Sequence, residues 1–183
     1  MGSKLILSPG FCLLWAAGLL LLPLRWAIGT LLAALIHECA HFTAIYLLGG
    51  QVYSVTLGGN GAVMETAPQT RGKEAICALA GPLGSFSLVL IAEYYPEVAV
   101  CGLIQGIYNL IPIYPLDGGR VIRCLFSRRI CRGVEIVFLM ILTGFSFWTG
   151  TINPKFATIL LMSGAIPVIR GKFTCKEGPI AVQ

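Results

Sequence analysis

The chain has 183 residues, of which 56% are hydrophobic and only 11% are charged. An average soluble domain carries roughly a quarter charged residues, so the composition excludes a disordered chain, a nucleic-acid-binding domain and an ordinary soluble globule. Long apolar runs with few charges predict a protein whose exterior faces lipid. The net charge of +5 is therefore expected to report membrane orientation rather than contact with nucleic acid.

Six apolar runs follow one another along the chain and predict about six transmembrane helices. They cover residues 5–24, 26–48, 74–92, 98–113, 133–150 and 156–169. The second run has 23 residues, or roughly 34 Å as a helix, which is long enough to cross a bilayer. The last run is shorter than the roughly 20 residues that a full span needs. Because Lys4 precedes the first run, a cleaved signal peptide is the alternative interpretation of that segment.

The distribution of basic residues predicts the orientation of these helices. If the N-terminus is cytoplasmic, 11 of the 13 Lys and Arg residues lie in inside segments, and only Arg25 and Lys155 lie outside. The positive-inside rule therefore predicts a multi-pass protein of a bacterial cytoplasmic-type membrane with both termini in the cytoplasm. One predicted inside loop holds five arginines, which either set topology and contact anionic headgroups or form a docking surface for an acidic substrate segment. They are Arg120, Arg123, Arg128, Arg129 and Arg132.

The segment between the second and third runs has a different pattern. Residues 52–57 alternate in polarity, a Gly/Asn-rich turn follows at 58–61, and a second short extended run ends at Thr66. This pattern predicts a β-hairpin, which either lies on the protein's own helices or offers an open edge to an extended peptide. The predicted fold is thus an all-α polytopic membrane protein with a small membrane-associated β-hairpin between helices 2 and 3. We predict one membrane-embedded domain, 1–183, with its core at about 26–120 and a short cytoplasmic tail at 170–183.

The second run contains the sequence His37-Glu38-Cys39-Ala40-His41, which has the pattern H-E-x-x-H. Histidines four residues apart lie on one face of a helix and can bind one zinc ion, with the intervening glutamate within reach of a metal-bound water. These are the only two histidines in the chain, and a carboxylate at membrane depth is costly unless it serves a function. The alternative is a pair of structural histidines that face a polar cavity.

A zinc site with two histidines lacks a third protein ligand, and Asp117 is the candidate. It is the other acidic residue among apolar neighbours, in the segment Asn109-Leu-Ile-Pro-Ile-Tyr-Pro-Leu-Asp-Gly-Gly-Arg120. Two prolines and two glycines are expected to break helical geometry there, and such backbone is tolerated at membrane depth where it is buried or lines water. The alternative is an ordinary Pro/Asp/Gly turn at a helix end.

These motifs together resemble the site-2 protease family of intramembrane zinc metalloproteases. The resemblance rests on H-E-x-x-H, on N-x-x-P-x-x-P-L-D-G from Asn109 to Gly118, and on a Gly81-Pro82 pair, and it covers about Trp26 to Arg120. Ser85 stands near where the family usually has Asn. The six-span layout is similar to the stage IV sporulation protein FB branch, which cleaves a membrane-associated pro-sigma factor. That branch often has a C-terminal regulatory domain, which we expect to be absent from this chain.

The resemblance implies a zinc metalloendopeptidase that performs regulated intramembrane proteolysis, plausibly in sporulation. One Zn²⁺ would be held by His37, His41 and Asp117, Glu38 would be the catalytic base, and Asn109 would position substrate or stabilise the oxyanion. Asn109 is alternatively a helix-end residue that bonds freed carbonyls. The implied partners are a membrane-associated or transmembrane protein substrate, the lipid bilayer, and membrane inhibitor or regulatory proteins. The rival functions are a metal-binding membrane protein, such as a carrier, and a catalytically silent membrane scaffold.

Overall fold

The computed structural model describes residues 4–58, 61–67 and 69–150, which are mostly helical with a small three-stranded sheet. The elements in chain order are β1 (Lys4–Leu7), α1 (Pro9–Leu21), α2 (Leu24–Leu47), β2 (Val52–Gly58), β3 (Gly61–Thr66), α3 (Arg71–Ser87), α4 (Pro96–Asn109), α5 (Asp117–Leu125) and α6 (Arg128–Gly150). The chain divides into two compact units, Met1–Leu110 and Ile111–Gln183. The predicted span at 156–169 and the predicted tail lie outside the described residues.

Helices α2, α3 and α4 pack against one another to form the core of the first unit. Helix α2 and α3, the latter continued by a 3₁₀ turn at Leu88–Ile91, are the two helices of the described residues that are long and apolar enough to cross a membrane. They correspond to the second and third predicted runs. Small residues let the helix backbones approach closely, as is typical of membrane helices. These residues are Gly29, Gly84, Gly102 and Gly106.

Two predicted helical runs differ from the structure. The run predicted to start at Leu5 begins with strand β1, and its helix covers only Pro9–Leu21. The reason is Pro9, because proline is tolerated in the first turn of a helix but not in its interior. Helix α4 ends at Asn109 and not near residue 113, since Pro112 follows and its missing N–H cannot continue the helical hydrogen bonds. At 14 residues, α4 is about 21 Å long, less than the roughly 30 Å of a bilayer core.

The predicted hairpin is present, and the structure adds a third strand to it. Strand β2 pairs antiparallel with β3 and parallel with β1, so the order is β1-β2-β3. A hydrogen bond of 2.7 Å from Ser54 Oγ to Glu65 Oε2 joins β2 to β3. Because β2 is paired on both sides, the strand of the hairpin with an open edge in the described part of the chain is β3.

The described part of the second unit contains α5 and α6. The prediction that five arginines form a loop is wrong, because Arg120 and Arg123 lie in α5, and Arg128, Arg129 and Arg132 lie in the first turns of α6. Arg123 joins the two helices: its Nη2 donates to Glu135 Oε1 at 3.1 Å, and its guanidinium lies 3.8 Å from the centre of the Tyr114 ring. The helical pattern was missed because Gly118 and Gly119, which are poor helix formers, occupy the first turn of α5.

Candidate metal centre

The two histidines lie on the buried face of α2. This face repeats every four residues and consists of Gly29, Ala33, His37, His41 and Ile45. The side chains of His37 and His41 are 3% and 8% exposed, and their ring centres are 4.8 Å apart. The prediction that both imidazoles share one face of a helix is confirmed.

Helix α3 supplies a hydrogen-bond partner for each imidazole. His41 Nδ1 lies 2.7 Å from the carbonyl oxygen of Cys77, and His37 Nδ1 lies 2.8 Å from Oγ of Ser85. The two Nε2 atoms lie 3.2 Å apart. Since Nδ1 of each ring is directed at α3, the Nε2 atoms converge on one point beside the helix.

This arrangement fits a zinc ion. A carbonyl oxygen can only accept, so Nδ1 of His41 must carry its proton, and Nε2 of the neutral ring then presents a lone pair. Two zinc–nitrogen bonds of about 2.0–2.1 Å at a tetrahedral angle place their nitrogens about 3.3 Å apart, close to the 3.2 Å observed between the two Nε2 atoms. Hydrogen bonding of the other ring nitrogen is also the usual arrangement for a metal-binding histidine.

Gly81 lies on α3 between the two hydrogen-bond partners and leaves the space in front of the imidazoles open. A Cβ at this position would lie 2.8 Å from His37 Nε2 and would be even closer to His41 Nε2. Any side chain larger than hydrogen would therefore occupy the point on which the two nitrogens converge. The glycine is needed here for close approach rather than for backbone conformation.

Asp117 is the first residue of α5 and is only 6% exposed. Its Oδ1 lies 3.8 Å from Nη1 of Arg120, one turn later in the same helix. His37 and His41 of the first unit and Asp117 of the second are each buried and each offer an atom that a metal ion could bind. Two imidazoles and a carboxylate are ligand types of catalytic zinc sites, so the composition of the group suits the predicted metal.

Comparisons with known proteins agree with this chemistry, although no protein-family model matches the chain. Stage IV sporulation protein FB of Bacillus subtilis is 30% identical over an alignment of 141 positions that covers 69% of this chain and 49% of that protein. A zinc metalloprotease of Methanocaldococcus jannaschii is 28% identical over an alignment of 123 positions that covers 57% of this chain and 36% of that protein. The chain thus spans about half or less of the length of these curated relatives.

A solved structure with a similar fold is the site-2 protease from Methanocaldococcus jannaschii. Its TM-score against this chain is 0.66, with all of this chain and 95% of that chain covered, at 18% sequence identity. The similarity shows a shared fold. The chain is a homologue of the site-2 proteases. Zinc metalloproteases among its relatives and the histidine pair support zinc as the cofactor.

Two further predicted site residues have defined positions in this site-2 protease homologue. Glu38 follows His37 on α2 and is half-buried. Asn109 is the last residue of α4, and its Nδ2 donates to the carbonyl oxygen of Gln105 at 3.1 Å. Gln105 lies one turn earlier in the same helix.

Three partners of the histidines on α3 were not predicted. They are the Cys77 carbonyl, Gly81 and Ser85, which are spaced four residues apart, like the histidine face of α2, and are buried against that face. Gly81 belonged to the Gly-Pro motif that indicated the site-2 proteases, but its proximity to the imidazoles was not foreseen. A repeat of small residues every four positions was the available signal.

Proposed function

We propose that this chain is a zinc endopeptidase embedded in a membrane and that it cleaves a membrane-associated protein substrate. The observation that carries the proposal is the pair of buried Nε2 atoms 3.2 Å apart, beside a glutamate, on a helix long enough to cross a bilayer. An intramembrane group of ionisable residues is costly and therefore indicates function. The proposed activity also agrees with the zinc metalloprotease relatives.

The proposed roles follow from the chemistry of each side chain. His37 and His41 hold the metal, and the buried carboxylate of Asp117 is the third ligand. When bound, zinc supplies Lewis-acid activation of water and of the scissile carbonyl. Glu38 takes the proton from the attacking water and gives it to the departing amine, which are the two tasks of a general acid–base residue.

Asn109 is proposed to contact substrate, and its amide geometry defines how it could do so. Because Nδ2 donates to Gln105 at 3.1 Å, the Oδ1 atom is the part of the side chain suited to accept a hydrogen bond from a substrate N–H. Nδ2 carries a second hydrogen, which could donate to an oxyanion while the bond to Gln105 is kept. We therefore propose that Asn109 positions substrate or stabilises the oxyanion.

A transmembrane helix must be unwound locally before its backbone can be attacked, since its peptide groups are hydrogen-bonded internally. We propose that the unwound segment adds to the open edge of β3. Strand addition of this kind supplies main-chain hydrogen bonds to an extended peptide. The edge strand is β3 and not β2, because β2 is paired on both sides.

The remaining predictions about the cellular setting are also proposals. We propose one multi-pass domain with six spans and cytoplasmic termini, supported by the 11 basic residues in predicted inside segments. A pro-sigma factor in sporulation is the proposed substrate, supported by the similarity to stage IV sporulation protein FB. Arg128, Arg129 and Arg132 in the first turns of α6 are candidates for contact with anionic headgroups or with an acidic segment of the substrate.

The catalytic role of Glu38 gives the sharpest test of the proposal. Wild type and Glu38→Gln are co-expressed with a candidate pro-sigma factor, and the processed product is measured together with zinc content. Loss of the base should abolish cleavage while zinc stays bound, because Gln keeps the size of the side chain but cannot take a proton. Cleavage by Glu38→Gln at the wild-type rate would exclude this mechanism, and a wild type that binds zinc but cleaves no substrate would favour a carrier or a silent scaffold.

A further inference from the structure

Ser85 is a fully buried hydroxyl near the end of α3 that touches a proposed metal ligand. Its side chain is 0% exposed, and its Oγ lies 2.8 Å from Nδ1 of His37. A buried hydroxyl costs free energy unless it is hydrogen-bonded, and His37 Nδ1 is the partner of this one. The contact with His37 therefore identifies a specific task for this side chain.

The two imidazoles differ in how their Nδ1 atoms are held. His41 faces the main-chain carbonyl of Cys77, which forces the tautomer with the proton on Nδ1 and the lone pair on Nε2. His37 faces a hydroxyl, which can either donate or accept. The tautomer of His37 thus depends on whether the Ser85 hydroxyl donates to Nδ1 or accepts from it. Because this partner is a side chain, a substitution can remove it.

We propose that Ser85 is a positioning residue that holds His37 as the metal-binding tautomer. Zinc binding at Nε2 requires the proton of the neutral His37 ring to lie on Nδ1, and the Ser85 hydroxyl oxygen, 2.8 Å away, is the atom that accepts it. His37 Nε2 then presents its lone pair to the metal, as His41 Nε2 does. This inference rests on the metal centre of the proposed function, and it assigns to Ser85 the role of an outer partner of a metal ligand.

A change of Ser85 to alanine removes the acceptor and has clear consequences. The Nδ1 proton of His37 would be buried without its partner, so the ring would favour the other tautomer or rotate, and either change removes the lone pair from the metal site. Loss of such a partner costs about 10–100-fold in metal affinity. Ser85→Thr keeps the hydroxyl and is expected to bind zinc more tightly than Ser85→Ala by the same reasoning.

The first experiment measures the dissociation constant for Zn²⁺ in detergent by competition with a chelator of known affinity. Ser87→Ala is the matched control, since Ser87 lies in the same helix but its exposed hydroxyl donates to the Gly84 carbonyl at 2.6 Å. We expect weak binding for Ser85→Ala only. Equal affinity of wild type and Ser85→Ala would overturn the inference, whereas absence of zinc binding by wild type would overturn the proposed function itself.

The second experiment reads the tautomer directly by NMR of protein labelled with ¹⁵N in its histidines. The chain has only two histidines, so the ring nitrogens of the zinc-free protein, in which no metal fixes the tautomer, give a small set of signals. Both rings should carry their proton on Nδ1 in wild type, and Ser85→Ala should alter the pattern of His37 alone. Unchanged patterns for both rings would contradict the inference. If Ser85→Ala fails to fold, Ser85→Cys is measured instead, because the thiol has the same shape as the hydroxyl group, although sulfur is larger than oxygen, and is only a weak acceptor.

Discussion

Gly81 is the most crowded position of the metal centre at the scale of single residues. Its Cα faces both imidazoles so closely that a methyl group would overlap the ring of His41 and lie 2.8 Å from His37 Nε2. Both rings are also hydrogen-bonded to α3 at Nδ1, through Ser85 and Cys77, so a shift away from Gly81 would break these bonds. The absence of a side chain at residue 81 is thus part of the site.

Gly81→Ala is therefore expected to weaken zinc binding by at least about tenfold. This is the smaller loss of metal affinity that is typical when a residue supporting a metal ligand is changed. The measurement is the zinc dissociation constant, with helix content by circular dichroism as a check on folding. Gly72→Ala is the matched control, because Gly72 lies in the same helix and a Cβ there meets nothing within 4 Å. Wild-type affinity in Gly81→Ala would show that the metal does not bind at this point.

The residues of the site differ in how far the sequence could reveal them. The facing histidines were predictable because a separation of four residues is a local property of the helix. The partners of these histidines lie 48 and 36 residues away, at Ser85 and Cys77, and meet them only because α2 and α3 pack together. One of these partners is a main-chain carbonyl, which leaves no mark on residue identity.

The structural elements show the same division between local and distant causes. Helix α2 was predicted almost to its ends, since its apolar run is long and lacks internal proline. Strand β1 was missed because a short apolar run has the same composition in a strand and in a buried helix. Its conformation is fixed by pairing with β2, where Leu5 lies opposite Val55, some fifty residues later in the chain.

The open edge of β3 leads to a prediction about substrate binding. Successive N–H groups of an antiparallel strand point to opposite edges. Val63→Pro and Met64→Pro each remove one backbone N–H of β3, and only one of these two variants loses a hydrogen bond to β2. The other variant should unfold at the wild-type temperature yet cleave substrate about tenfold more slowly, the equivalent of one lost hydrogen bond. Normal cleavage by both variants would contradict substrate pairing at β3.

At the scale of the whole molecule, the arrangement in the membrane is the largest prediction that rests on charge alone. Alkaline phosphatase fused after Gln183 should be inactive, and a fluorescent protein fused there should fluoresce, because the basic C-terminal segment is predicted to be cytoplasmic. Alkaline phosphatase inserted between Glu93 and Glu97, in a predicted outside loop, should be active. An active C-terminal phosphatase fusion would exclude an even number of spans with a cytoplasmic N-terminus.

The central claim of the account is that the histidine pair of α2 binds zinc. The most direct measurement is the zinc content of the purified chain in detergent, compared between wild type and His41→Ala. Wild type is expected to hold about one zinc ion per chain, as a catalytic site of this type does, and His41→Ala is expected to hold almost none. Equal zinc in both proteins, or its absence from wild type after purification in zinc-containing buffer, would contradict the account.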